Sequence, residues 1–146
     1  MEHAATATLT AVFSTIIDGG DYGEIDRYFR ADYIDHSAVG HLYGSDAFAG
    51  MLEGFRAAMP GFRHEISDLT LIGDNTAIWQ VRLTANFTGE FMGTRGHGQA
   101  IELWVANAAV FADDGRVQEH WGMANDALGM MMSQMGIDGT ALATVG

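Results

Sequence analysis

The fold is decided by a run of segments in the second half of the chain that alternate apolar and polar residues. These segments are RHEISDLTL (63–71), TAIWQVRLTAN (76–86), QAIELWVANAAVF (99–111) and RVQEHW (116–121). A period of two is typical of strands with one buried face. The first two are separated by Gly73-Asp74-Asn75 and the last two by Asp113-Asp114-Gly115, which are typical turn sequences. The sequence therefore predicts an antiparallel sheet built from hairpins.

The first half of the chain is predicted to be largely helical. A helix ending at Gly19-Gly20 has apolar residues at the spacing of one helical face: Leu9, Val12, Phe13, Ile16 and Ile17. We expect a short helix over residues 22–29, then the extended segment DYIDHS (32–37). Ser45 is the predicted N-cap of a third helix, which Pro60 ends. A methionine-rich helix is predicted over residues 126–135.

Helices followed by antiparallel strands predict an α+β fold with helices packed on one face of a sheet. A strongly curved sheet wrapped around the long N-terminal helix forms a cone. The open end of such a cone is a natural ligand site. The 146 residues fit a single domain over residues 1–146.

Composition narrows the function classes. Seven basic and 19 acidic residues give a net charge of −12, which disfavours nucleic acid and anionic membranes as partners. The absence of cysteine excludes disulfides, zinc–thiolate sites and a thiol nucleophile. The six histidines lack metal-ligand spacing and no glycine-rich phosphate loop occurs, so we expect neither metal nor cofactor. The N-terminal residues MEHAATATLT lack secretory-signal features, which favours a cytoplasmic protein.

Three groups of motifs resemble one family in their order and spacing. They are YIDH (33–36); GD (73–74) followed by GEFMG (89–93); and DGRVQEHW (114–121) followed by DALG (126–129) and QMG (134–136). Together they resemble the SnoaL-like polyketide cyclases of the nuclear-transport-factor-2-like superfamily. The resemblance implies a cone-shaped α+β barrel, usually a homodimer packed through sheet faces. It also implies cofactor-free aldol ring closure of a polyketide, with an aspartate after the tryptophan as acid–base.

The sequence departs from the family pattern at two places. The family's aspartate commonly stands four residues after the tryptophan, where this chain has Asn125, with Asp126 next to it. Counted back from the following Leu-Gly, Asp126 falls in place. After Met92-Gly93 the family tends to have a proline-containing turn, where this chain has a glycine-rich loop containing His97.

Asp126 is the first catalytic candidate. One carboxyl group in an apolar pocket can remove a proton next to a carbonyl and later protonate the receiving oxygen. The alternative is that Asn125 and Asp126 only cap the last helix. His97 and His36 are further catalytic candidates, since imidazole relays protons near neutral pH. A structural or surface role is open for each histidine.

Substrate contacts are predicted for side chains that could line the pocket or, alternatively, belong to the core: Tyr33, Phe91, Trp104, His120, Trp121, Asn125 and Met130. On a regular strand His120 faces away from its neighbours Glu119 and Trp121. Arg82 is either an inward polar anchor or part of a solvated sheet face.

Three functions remain open from the sequence. The first is a cofactor-independent cyclase, or a related lyase or isomerase, acting on a small apolar or aromatic ligand such as a polyketide. The second is a small-molecule-binding or accessory protein with a non-catalytic pocket. The third is an epoxide hydrolase with an Asp-Arg-Asp set, to which Arg82 and Asp126 could contribute.

Overall fold

The computed structural model of the chain describes residues 2–37, 40–122 and 127–137. Helix α1 (Glu2–Ala11) continues as π-helical turns over Val12–Ile17, and a single 3₁₀ turn (Tyr22–Glu24) leads into α2 (Ile25–Tyr28). Helices α3 (Ser45–Ala58) and α4 (Ala127–Met135) follow. The strands are β1 (Phe29–Ser37), β2 (Gly40–Tyr43), β3 (Arg63–Ile72), β4 (Thr76–Phe87), β5 (Glu90–Phe91), β6 (Thr94–Arg95), β7 (Gln99–Phe111) and β8 (Val117–Gly122). No helix in these ranges is long and apolar enough to span a bilayer.

Six strands form one curved sheet in the order β2-β1-β8-β7-β4-β3, while β5 and β6 form a separate hairpin. The α+β class and the curved sheet confirm the sequence prediction. The expectation of an antiparallel sheet needs one correction, because β1 runs parallel to β8. The hairpin pairing of β8 with β7 leaves the other edge of β8 open, and β1 pairs with its backbone groups there.

The predicted face of the N-terminal helix is buried against the sheet. Its five apolar residues are each at most 8% exposed and belong to the core: Leu9, Val12, Phe13, Ile16 and Ile17. The face of the sheet that packs on this helix is called the inner face here, and the opposite one the outer face. The predicted cap of α3 is wrong in one detail. Gly44, at φ 92°, is the N-cap, and Ser45 is the first residue of the helix.

Arg56 of α3 holds the end of the N-terminal helix. Its Nη2 donates hydrogen bonds to the carbonyl oxygens of Ile17 at 2.8 Å and Asp18 at 2.7 Å. Such terminal carbonyls have no partner within the helix, so the guanidinium satisfies them. The next turn brings Gly20 against the guanidinium with φ +71°, where a Cβ would lie 2.9 Å from Arg56 Cζ. The backbone conformation therefore favours glycine, and a Cβ would also displace the Arg56 guanidinium.

We expect Gly20→Ala to lower the free energy of unfolding by about 1–3 kcal/mol, because alanine is strained in the left-handed region and displaces Arg56. Gly54→Ala is the matched control, since Gly54 is exposed within α3 and a Cβ there meets nothing within 4 Å. It should raise the free energy by about 0.5–1 kcal/mol through helix propensity. Urea unfolding measures both variants, and changes of the same sign would contradict this account of Gly20.

Candidate functional site

A cavity of about 210 Å³ lies between the inner face of the sheet and the helices. The N-terminal helix, α3 and Met131 of α4 cover it, and most of its wall is aliphatic or aromatic. The polar atoms on its wall come from a few side chains: Tyr33, Asp35, His64, Trp79, Asn107 and His120. A mostly apolar cavity with a few convergent polar groups is the usual form of a small-molecule site.

A β-bulge directs His120 into this cavity. Val117 pairs with Phe111 and Glu119 pairs with Val110, so Gln118 is an extra residue in β8. Because of the bulge, Val117 and His120 both line the cavity although they are three residues apart. Bulges of this kind commonly re-aim side chains beside functional sites.

Asp35 is the centre of the polar cluster. Its side chain is completely buried, and Oδ1 accepts a hydrogen bond from the Tyr33 hydroxyl at 2.6 Å. The same oxygen lies 2.6 Å from His120 Nδ1. Oδ2 has no hydrogen-bond partner among the residues that the structure describes. Burial of a carboxyl group with incomplete hydrogen bonding costs stability, and such groups are typical of functional sites.

The orientation of the Asn107 amide indicates which atom of His120 carries a hydrogen. Asn107 Nδ2 donates to the Val105 carbonyl at 3.0 Å, so its Oδ1 is the atom 2.8 Å from His120 Nε2. A carbonyl oxygen only accepts hydrogen bonds, and Nε2 therefore carries a hydrogen. Nδ1 faces the Asp35 carboxyl group, so each nitrogen of the imidazole lies against an acceptor oxygen of the cavity wall.

Tyr33 is a permanent donor in this cluster. Burial raises the pKa of its hydroxyl well above the usual value of about 10, and the neighbouring Asp35 carboxylate raises it further. The phenol therefore stays protonated and keeps donating to Asp35.

A second imidazole lies elsewhere on the cavity wall. His64 Nδ1 is 2.6 Å from Asp18 Oδ1, and the His64 backbone N–H donates to Asp18 Oδ2 at 3.0 Å. Between the two imidazoles, the Trp79 ring lies 5.9 Å from His120 and 6.2 Å from Phe13, which in turn lies 5.6 Å from His64. Trp79 Nε1 is buried without a hydrogen-bond partner in the described part of the chain.

Several predicted site residues lie outside the cavity, which corrects their placement. His36 points to the outer face, with Nε2 2.6 Å from Glu119 Oε2, Nδ1 2.6 Å from His41 Nδ1 and its ring stacked on Trp121. Trp104 is also on the outer face and is 55% exposed. The physical reason is strand alternation, since Asp35 and His120 occupy the inner positions next to His36 and Trp121.

The remaining predicted residues divide into three groups. His97 is exposed beyond β6, and its backbone N–H donates to Gln99 Oε1 at 2.6 Å, so it does not reach the cavity. Phe91 stacks on Phe55, which lines the cavity, but does not line it itself. Asn125, Asp126 and the side chain of Met130 lie outside the described residues.

Arg82 takes the solvated-face alternative, because its Nη2 donates to Glu102 Oε2 at 2.7 Å on the outer face of the sheet. It is therefore not placed for an Asp-Arg-Asp set in the cavity. In ranges 2–37, 40–122 and 127–137, no three His, Asp or Glu side chains are grouped so as to hold a metal ion.

Sequence reasoning missed Asp35, Asn107 and His64 as cavity residues. The sequence does indicate Asp35, because Tyr33 is predicted to line the pocket and residues two apart on a strand share a face. No local signal marked His64, whose partner Asp18 is 46 residues away.

The chain is similar to known proteins over most of its length. The model of the SnoaL-like polyketide cyclase family matches residues 7–133. No curated protein matches the chain.

Solved structures share the fold at low sequence identity. IdmH of Streptomyces antibioticus, a polyketide cyclase candidate, is 20% identical with a TM-score of 0.75 over 91% of this chain and 99% of its own. AclR of Streptomyces galilaeus, a hydroxylase candidate, is 21% identical with a TM-score of 0.77 over 93% and 98%. A SnoaL-like polyketide cyclase candidate from Jannaschia sp. CCS1 is 18% identical with a TM-score of 0.78 over 93% and 94%.

The raised pKa of Tyr33 predicts a pH dependence of stability. Above about pH 10 a tyrosine in the unfolded chain ionises, while folded Tyr33 keeps its proton. The unfolded state then binds fewer protons, so the free energy of unfolding falls as pH rises. We expect Tyr33→Phe to reduce this fall by up to about 1.4 kcal/mol per pH unit.

Urea unfolding between about pH 9 and about pH 11 measures this slope. Tyr43→Phe is the control for loss of a phenol, because that side chain is 71% exposed. Identical slopes for wild type and Tyr33→Phe would show that Tyr33 does not keep its proton in this range.

Proposed function

Since the chain belongs to the SnoaL-like polyketide cyclase family, we propose that it is a cofactor-independent enzyme that closes a ring by intramolecular aldol addition. The proposed substrate is a small, mostly apolar molecule with ketone groups. A related lyase or isomerase reaction would use the same proton transfers. The single observation that carries the proposal is the buried Asp35–His120 pair on the wall of an apolar cavity.

The aldol step needs two proton transfers. A base removes a proton from the carbon next to one carbonyl, that carbon bonds to the second carbonyl carbon, and an acid protonates the oxygen that receives the charge. His120 Nε2–H is suited to the acid role, because a ligand oxygen can replace Asn107 Oδ1 as its acceptor. Asp35 orients the imidazole through its contact with Nδ1.

Asp126 remains the proposed base. This role comes from the family pattern and from the ability of a carboxylate to accept a proton from carbon. In this proposal His120 is the acid, Asp35 orients the His120 imidazole, and Asp126 is the base.

The apolar wall favours this chemistry. Water competes little for the ligand oxygen inside the cavity, so hydrogen bonds and charge stabilisation are stronger there than in bulk solvent. A volume of about 210 Å³ is below the roughly 300–1,000 Å³ of typical ligand pockets, which favours a small ligand or one that extends beyond the cavity.

We expect His120→Gln to lower turnover by about 10²–10⁴-fold, because glutamine forms hydrogen bonds but transfers no proton near neutral pH. The assay uses an aryl-substituted δ-diketone, whose aldol ring closure gives a β-hydroxyketone. Loss of water from that product gives a cyclohexenone, which is followed by ultraviolet absorbance. Asp35→Asn should lower turnover as well, since the amide lacks the negative charge of a carboxylate and can present an N–H instead of an acceptor to Nδ1. His41→Gln on the outer face is the matched control and should retain wild-type turnover.

Two further variants test the assignment of the base. Asp126→Asn should also lower turnover by about 10²–10⁴-fold, whereas Asn125→Ala should mainly cost about 1 kcal/mol of stability if that residue caps the helix. Full activity of Asp126→Asn would remove it as the base. Tight binding of the diketone without any turnover by the wild type would instead favour the binding-protein alternative.

We also propose a homodimer that packs through the outer face of the sheet. The family resemblance supports it, and the exposed Trp104 provides apolar surface on that face. Light scattering at micromolar concentration should give twice the chain mass, and Trp104→Glu should shift the mass towards the monomer by burying a charge at the contact. A monomer mass for the wild type would refute the proposal.

A further inference from the structure

The polar groups of the cavity wall form two separate clusters, and only one of them is used by the proposed reaction. The second is His64 with Asp18. We propose that His64 is a second ligand contact, so that the cavity takes an apolar molecule with oxygen functions at two separated points, of which the one at His64 is a hydroxyl or enol. This inference rests on the proposed function in one respect, because both take the cavity as the ligand site.

The pairing with Asp18 determines what His64 can bind. Because Asp18 accepts at Nδ1, that nitrogen carries the hydrogen in the neutral ring. Nε2 then has a free lone pair, and the described residues supply no hydrogen-bond partner for it. A ligand O–H satisfies this acceptor, which explains the preference for a hydroxyl or enol at this end.

Asp18 itself is held from two sides. The Asp18 N–H donates to the Phe13 carbonyl at 2.7 Å, a π-helical bond across five residues, and Arg56 Nη2 donates to the Asp18 carbonyl at 2.7 Å. π-Helical turns occur frequently at functional sites, because they displace a residue from the regular helix. Here the turn brings the Asp18 carboxylate onto both the ring and the backbone N–H of His64, which fixes the imidazole in the cavity wall.

The two imidazoles lie at separate places on the cavity wall. His64 is on β3 and His120 on β8, with β4 and β7 between them. Three strand spacings follow the curved sheet for about 14 Å, and the straight path across the cavity is shorter. The rings of Phe13 and Trp79 lie between the imidazoles. A ligand that uses both must therefore have an apolar body with a polar group at each end.

The test compares two probes by isothermal titration calorimetry: β-naphthol, and the naphthalene diol that carries its second hydroxyl on the far ring. We expect the diol to bind the wild type about tenfold more tightly, as one more buried hydrogen bond provides. His64→Phe should reduce this preference to about the twofold statistical factor of two equivalent hydroxyls. His41→Phe removes an imidazole from the outer face and should keep the preference.

A measurement on the wild type covers the case in which His64→Phe does not fold. In nitrogen-15 NMR of the histidine rings, the diol should shift the Nε2 signals of both His64 and His120 along one binding curve. An unmoved His64 signal at saturation would overturn the inference, and so would a preference retained in His64→Phe or absent from the wild type. In those cases binding of β-naphthol leaves the proposed function standing, whereas failure of both probes to bind removes the cavity as the ligand site.

Discussion

The buried contact between Asp35 and His120 is the interaction on which the rest of the site depends. Two features of the sheet create it. The parallel pairing of β1 with β8 sets Asp35 opposite His120, and the bulge at Gln118 turns His120 to the inner face. A buried carboxyl group costs stability unless it is paired, and the imidazole and the Tyr33 hydroxyl reduce that cost. Burial of the large apolar core stabilises the fold and offsets the remaining free-energy cost of the buried carboxyl group.

The parts of the fold that depend on local periodicity could be predicted from the sequence. The buried face of the N-terminal helix, the extent of α3 and the three long strands all follow from spacing that is visible within ten or so residues. The parallel pairing of β1 with β8 could not be predicted in this way, because it joins segments more than eighty residues apart. Nothing local in either strand specifies that partner or its register.

The same distinction applies to the site. Strand alternation places His120 and Trp121 on opposite faces of the sheet. The prediction that both side chains contact the ligand is therefore not compatible with their being neighbours on one strand. Applied to β1, the rule selects Asp35 together with Tyr33 and sends His36 to the outer face. His64 follows from no such rule, since its position in the wall depends on a helix end held by Arg56.

The charge state of the cavity determines which ligands it can accept. Neither lysine nor arginine contributes to the described wall, and the His120 imidazole already has the Asp35 carboxyl group as its partner. An anionic ligand would lose its hydration there without gaining a counter-charge, which costs far more than a hydrogen bond returns. The overall charge of −12 opposes anions further. A neutral molecule whose carbonyl and hydroxyl oxygens contact the two imidazoles has no such cost. Each of its polar groups then forms a hydrogen bond with a side chain of the cavity wall.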